Sequence, residues 1–261
     1  MKAALLGTLF LSEKRKNLLM YLMDGPKKID DIKEELDVNT SAIMTQIRIL
    51  MDQGLVTHDS DIYKLTTIGN VIVKKMKPLL NTLNVYIENK SYWETRDLEA
   101  IPVNLMDRME EIGHSRLIEP DLSHLFEPPN ELVVSLKSTE HVMTFYSFFC
   151  PELPTTYTKL AKKGVSFEII LTESVFERLK NEFLEEYDIM LNSENGCLYV
   201  CDDNIDKPAS LTVTDEMILI SLFNEEGVFD HRKLISFEPS ALKWASDLFE
   251  YYINKSKKVT S

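Results

Sequence analysis

Thr40, Ser41, Met44, Thr45 and Arg48 recur three and four apart, which on a helix places them along one outward stripe. Their chemistry is contact rather than catalysis: hydroxyls that donate or accept one hydrogen bond, a thioether, and a guanidinium that can bond a guanine edge or a phosphate. Lys27, Lys28, His58 and Lys64 are suited to phosphates, as are Lys14, Arg15 and Lys16. In the second half, Tyr146, Thr172, Glu173, Ser174 and Ser221 are polar groups expected at strand ends, where α/β sheets hold ligands; Asp230, His231 and Arg232 form a second set of pocket candidates. Cys197 and Cys201 share a strand face without histidines at ligand spacing, and His114, His124 and His141 follow no zinc-enzyme pattern. No run carries the glycines of a phosphate loop or dinucleotide fingerprint. No catalytic residue, metal or cofactor is assigned, and a non-enzyme is expected.

The elements that must position the first stripe follow from periodicity. Ser12 caps a helix carrying Leu18, Leu19, Leu22 and Met23, and Gly25-Pro26 ends it. Ile29, Ile32 and Leu36 define a short second helix with Asp30 and Asp31 near its positive end; Asp37-Val38-Asn39 is the turn. Asn39 or Thr40 caps a third helix, whose Ile43, Ile47, Leu50 and Met51 face inward. Thr57 to Thr67 alternates as two strands around Asp59-Ser60-Asp61. Helix, helix, turn, helix and ribbon make a winged helix-turn-helix over residues 1–70, and the stripe falls on its recognition helix.

Residues 71–118 read as a helical linker and dimerisation region. Thr67 to Asn89 forms one long helix that Pro78 should kink or divide, and a further helix runs from Ile101-Pro102 to Ile112. Residues 119–261 read as an α/β regulatory domain. A break at Pro128-Pro129 precedes a strand Glu131 to Leu136, a helix Val142 to Phe149, a helix Leu153 to Lys163, a strand Val165 to Leu171 and a helix Glu173 to Tyr187. Strands at Cys197–Cys201, Ser210–Val213, Met217–Leu222 and Leu234–Phe237 precede a last helix, Pro239 to Asn254. The expected architecture is an α+β winged helix-turn-helix joined by long helices to an α/β domain with helices packed on a mixed sheet.

The net charge of −13 argues against a polyanion partner until it is divided along the chain. Residues 1–90 are net +2 and residues 91–261 net −15, so the acidity lies outside the winged region. The apolar start, MKAALLGTLF, lacks a signal-peptide processing site and passes into helical periodicity, and no stretch has the roughly 20 apolar residues of a membrane span. With three cysteines and no leader, the expectation is a cytoplasmic protein with reduced thiols.

Three features of the second part accompany the Thr40-to-Val56 unit: Tyr157-Thr158-Lys159-Leu160-Ala161-Lys162-Lys163-Gly164-Val165 leading to Ile169-Ile170-Leu171-Thr172, the segment Leu219 to Leu234 around Gly227-Val228-Phe229-Asp230, and the closing stretch Ala241 to Tyr252. Together they resemble an archaeal, methanogen-type family of winged helix-turn-helix transcriptional regulators with an ArsR-like amino-terminal domain. The resemblance implies a sequence-specific homodimer on double-stranded DNA, with an unidentified small-molecule effector read by the carboxy-terminal domain. The cysteine clusters of metal-sensing ArsR relatives are absent from residues 1–90. A protein-interaction adaptor on the same winged scaffold is the alternative. A third reading is a phosphodiesterase, because His231-Arg232-Lys233 with Glu238 resembles one imperfect copy of the His-x-Lys-x4-Asp element of phospholipase D enzymes.

Overall fold

Capping residues set the order of the first helices. The computed structural model describes residues 2–120 and 127–260, which divide into two compact units over 1–80 and 81–261. In the first unit α1 (Lys2–Phe10) precedes α2 (Glu13–Met23), where the Ser12 hydroxyl accepts from the Arg15 backbone N–H. The two-residue strand β1 (Lys27–Lys28) leads into α3 (Ile29–Leu36). Asp37, at φ 46°, turns the chain, and the Asn39 side chain accepts the Ala42 N–H at 2.8 Å to start α4 (Thr40–Asp52). Strands β2 (Val56–Asp59) and β3 (Ile62–Leu65) form the ribbon, and β1 pairs with the far side of β3. Leu18, Leu19, Leu22, Ile32, Ile43, Ile47 and Leu50 bury against one another as the periodicity requires.

Helix α5 (Thr67–Glu88) is packed closely at its start: a Cβ on Gly69 would lie 2.1 Å from the Leu55 carbonyl oxygen. It continues through Pro78 instead of dividing there. Pro78 is on the exposed side, where water can solvate the carbonyl that the missing N–H leaves unbonded.

The second unit begins with α6 (Lys90–Trp93), α7 (Val103–Met106) and a 3-10 turn (Met109–Ile112), followed by β4 (Ser115–Ile118) and α8 (Asn130–Ser138). Next come β5 (His141–Tyr146), α9 (Leu153–Lys163), β6 (Ser166–Thr172), α10 (Glu173–Glu182), α11 (Leu184–Leu191) and β7 (Gly196–Cys201). It closes with β8 (Ser210–Thr214), β9 (Ile218–Ser221), β10 (Lys233–Ser236), α12 (Pro239–Ile253) and β11 (Ser256–Lys258). The strands form one eight-stranded mixed sheet, β11-β7-β6-β5-β8-β9-β10-β4, in which β5, β6 and β7 run parallel. One face carries Phe145, Ile170, Leu211, Val213 and Ile220, packed with Trp244, Leu248 and Tyr252 of α12. The other carries Val142, Phe167, Ile169 and Leu171, covered by Tyr157 and Leu160 of α9 with Val175, Leu179 and Met190.

Four segments depart from the sequence reading. Glu131–Leu136 is helical, within α8: Leu132, Ser135 and Leu136 turn inward at helical spacing, while the β-branched Val133 and Val134 stay exposed. The expected helix at Val142–Phe149 is instead β5 with the turn after it; both faces of the strand are covered, so its apolar residues fall on both sides rather than alternating strictly with polar ones. The stretch to Ile112 is broken into α7 and the 3-10 turn, and the helix expected over Glu173–Tyr187 is divided at Phe183 into α10 and α11. The short strands β1, β4 and β11 and the separate helix α1 were not anticipated. The expected break at Pro128-Pro129 is the irregular stretch just before α8, and His124, one of the histidines without a zinc-enzyme pattern, lies outside the described residues.

Candidate functional site

On α4, Thr40, Ser41, Thr45 and Arg48 are all exposed. The Thr45 hydroxyl donates back to the Ser41 carbonyl at 3.0 Å, while the Arg48 guanidinium has no hydrogen bond or ion pair among the described residues. Met44 differs from its neighbours: it is half-buried, and its sulfur accepts from the Tyr63 hydroxyl at 3.6 Å. Tyr63 in turn stacks on His58, centroids 4.5 Å apart, so Met44, Tyr63 and His58 couple α4 to the ribbon. Lys64 is exposed on β3 opposite Thr57. Lys27 lies 4.4 Å over the Tyr21 ring, and Lys28 opens α3, its backbone N–H donating to Asp31 at 3.1 Å. Arg15 is occupied: it donates to the Thr8 carbonyl at 2.7 Å and to Gln46 of α4 at 2.9 Å, clamping α1 and α4 to α2. Lys16 is paired with Glu13, and Lys14 remains exposed. A capped helix whose Arg48 guanidinium and Thr40 and Ser41 hydroxyls have no partner among the described residues can meet phosphates and base edges without first breaking internal bonds, and Thr45 keeps its acceptor capacity.

The ligand candidates of the second unit separate into three places. Thr172, Glu173 and Ser174 form the β6-to-α10 junction, where the Ser174 N–H and hydroxyl both bond Asp203, at 2.9 and 3.1 Å. Asp230 receives both arms of Arg96, at 2.9 and 2.5 Å, and Arg232 pairs with Glu119 at 3.1 Å. Burial, the largest single influence, would raise the Asp230 carboxyl, but the Arg96 hydrogen bonds, the Arg232 backbone N–H and the charges of both arginines together outweigh it and hold the group below the ordinary aspartate value. His231, at φ 63°, packs its ring 4.5 Å from Phe229, and burial and then Lys233 push its pKa down.

Tyr146 and Ser221 share the third place. Tyr146 ends β5 opposite Ser210 of β8, and Ser210 stands opposite Ser221 of β9, so the three lie in one row across the sheet. Alternation along β10 puts Lys233 and Ile235 on this same face, beside Ser221 and Leu219. Tyr146, Ser210, Thr212 and Lys233 line a cavity of about 80 Å³ with Leu132, Phe148, Phe149, Cys150 and Leu219. Lys233 entered the sequence reading only within the phosphodiesterase-like element, and Ser210, Thr212 and Cys150 were not named as pocket residues. Cys197 and Cys201 do share a strand, half-buried and buried, and among the described residues no group of three or more His, Cys, Asp or Glu could hold a metal ion. No helix among those residues is long and apolar enough to cross a membrane.

Comparison with known proteins places this geometry in a family. The chain is 22% identical over 253 residues to the methanogenesis regulatory protein FilR1 of Methanothrix harundinacea (strain 6Ac), covering 95% of this chain and 56% of that protein, so it spans about half the length of that relative. Among solved structures it is similar to TrmBL2, an archaeal chromatin protein described by its novel mode of DNA binding, at 14% identity and TM-score 0.44 over 95% of this chain and 94% of that one. It is also similar to the phosphatidylserine synthase of Haemophilus influenzae Rd KW20, at 14% identity and TM-score 0.39 over 56% and 39%. Models of the amino-terminal and middle domains of the methanogenesis regulatory protein FilR1 match residues 3–84 and 125–255. With the middle-domain model alone covering half of its length, the chain belongs to the FilR1 family of methanogenesis regulatory proteins.

Proposed function

We propose that this protein is a sequence-specific transcriptional regulator that binds double-stranded DNA as a homodimer, with α4 in the major groove. The observation that carries the reading is the exposed row Thr40, Ser41, Thr45 and Arg48 on a capped second helix of a helix-turn-helix, in a chain of a regulatory family. Lys28 and Lys64 flank it as phosphate contacts, and Met44 and His58 hold the ribbon to the helix. One arginine per reading helix is little charge for a polyanion, which favours two copies acting together. Helix α5 leaves Ile68, Val71, Leu79, Leu83 and Ile87 exposed, an apolar stripe that a second copy would cover. The second unit then serves as the effector-sensing part.

The test is selection of genomic fragments by the purified chain at two salt concentrations, followed by sequencing. A palindromic site whose retention weakens with salt supports the reading. Arg48→Ala should then weaken binding to that site about 10- to 100-fold and reduce the salt slope by about one for each phosphate the guanidinium neutralises. Folded protein that enriches nothing at either salt points to the adaptor. Leu79→Glu should shift the protein toward monomer in sedimentation equilibrium; an unchanged dimer would remove α5 from the interface.

A further inference from the structure

We propose that the cavity between the β5–β8–β9–β10 face of the sheet and Leu132 of α8 binds a small organic carboxylate, its charge meeting Lys233 and its short apolar tail lying against Phe148 and Leu219. Two features of the cavity and one of the strand beside it point to this ligand. The first is size: about 80 Å³ admits a few water molecules or a molecule of few heavy atoms, well below the roughly 300–1,000 Å³ of sites for drug-sized ligands or cofactors.

The second is charge. The half-buried Lys233 side chain makes no hydrogen bond or ion pair among the described residues, whereas the buried Arg96 is fully engaged. Burial pushes the Lys233 ammonium down in pKa, against Cys150 and Glu152, which favour its charge; burial pushes the Cys150 thiol up, so it stays protonated, and the Glu152 carboxylate acts on the ammonium without forming an ion pair with it. An anion in the cavity would supply the missing countercharge.

The third is an orphaned hydroxyl. Ser221 Oγ is fully buried with no partner, and its cross-strand neighbour Ser210 lines the cavity. Buried hydroxyls are normally satisfied, so an unsatisfied one on the strand between Ser210 of β8 and the cavity-lining β10 marks a place where acceptor atoms are absent. A carboxylate offers two acceptor oxygens, and Phe148, Leu132 and Leu219 offer its tail an apolar wall. A free phosphate would leave that wall without a partner.

Control of DNA binding by this ligand rests on the regulator reading above; occupancy of the cavity does not. The experiment is therefore calorimetric titration of the full chain without DNA, using linear carboxylates from acetate to valerate, their primary amides, and inorganic phosphate. The expected result is saturable binding of one or more carboxylates, with no binding of the amides and weaker binding of phosphate. Lys233→Met should remain folded, since it removes a buried charge, and weaken the carboxylate about 10- to 100-fold. Absence of carboxylate binding, equal binding of the amides, phosphate binding as tight as any carboxylate, or unchanged affinity in Lys233→Met would each overturn the proposal. DNA retention with and without the bound carboxylate is scored separately. A ligand that binds but leaves DNA unaffected refutes the control and keeps the site.

Discussion

The two units use their polar side chains in opposite ways. In the first, the candidate groups Thr40, Ser41, Thr45 and Arg48 stand outside on one helix, and the core beneath them is almost wholly apolar. In the second, polar groups are taken inward: Arg96, Thr144, Ser210, Thr212, Thr214 and Ser221 are all buried. Most are engaged, as where Ser135 of α8 and Thr214 share a hydrogen bond of 2.7 Å, or where Thr144 bonds Tyr157. An outward-facing contact surface can be laid on a core without altering it. An inward-facing one must be built into the core, so each of its groups also carries part of the stability.

The widest test of that contrast is Asp230→Ala. Arg96 is almost fully buried and donates to Asp230, to the Leu222 carbonyl and to the Tyr92 carbonyl, so removing the carboxylate strands a desolvated cation, at a cost of about 3–5 kcal/mol. Trp93 and Trp244 are the two tryptophans of the chain and both lie in the second unit, so urea unfolding followed by tryptophan fluorescence reports on that unit. The same pair has a pH signature. Because the folded Asp230 pKa is depressed, the wild-type advantage is present above the ordinary aspartate range near 4 and is lost as pH falls through the lowered folded value. An advantage that persists undiminished into strong acid would show that the ion pair is not its source.

Gly69→Ala is the counterpart in the first unit. The added Cβ would meet backbone, the Leu55 carbonyl, at 2.1 Å, so α5 must shift; a cost of about 1–3 kcal/mol is expected. Hydrogen exchange should show the loss at amides of residues 1–80. Loss of protection at α12 equal to that at α2 would mean that the units do not respond as separate bodies.

The same contrast governs what could be read from the amino acids alone. Ile43, Ile47 and Leu50 fix the inner side of α4 and thereby its outer side, because a helix face is decided by residues three and four apart. The cavity is assembled from residues 132, 146, 210, 219 and 233, which meet only through strand pairing across distant parts of the chain. Ser221 falls at the end of an expected strand, Tyr146 was named as a strand-end group although its segment read as a helix, and Lys233 was read only within the phosphodiesterase-like element. The misread segments have the same origin. Val133-Val134 has strand-like composition, but the inward turn of Leu132 and Leu136 decides for helix, and β5 looks helical because both of its faces are covered. The two-residue β1 has no signal of its own, since its pairing partner Tyr63 lies far along the chain.

Asn39→Ala is a smaller test, confined to the reading helix. Losing the acceptor for the Ala42 N–H should cost about 1 kcal/mol of stability and fray the first turn of α4, where Thr40 and Ser41 stand. DNA affinity should therefore fall more than global stability does. Asn39→Asp, which keeps the acceptor, should restore the cap while adding a negative charge beside the phosphates, so stability returns and affinity does not.

The smallest expected change, and the one of opposite sign, is Ser221→Ala. A partnered buried hydroxyl such as that of Thr214 stabilises the fold, and its removal should cost about 1 kcal/mol. Ser221 Oγ has no partner, so removing it relieves an uncompensated desolvation, and the midpoint in urea should stay level or rise slightly. If the stability of the ligand-free protein instead falls by as much as for Thr214→Val, the hydroxyl is satisfied in solution. The comparison between an outward contact face and a polar interior left partly open would then lose its clearest single atom. If stability holds while carboxylate affinity drops, Ser221 bonds the ligand from within the sheet, and the open hydroxyl and the unpaired Lys233 belong to one site.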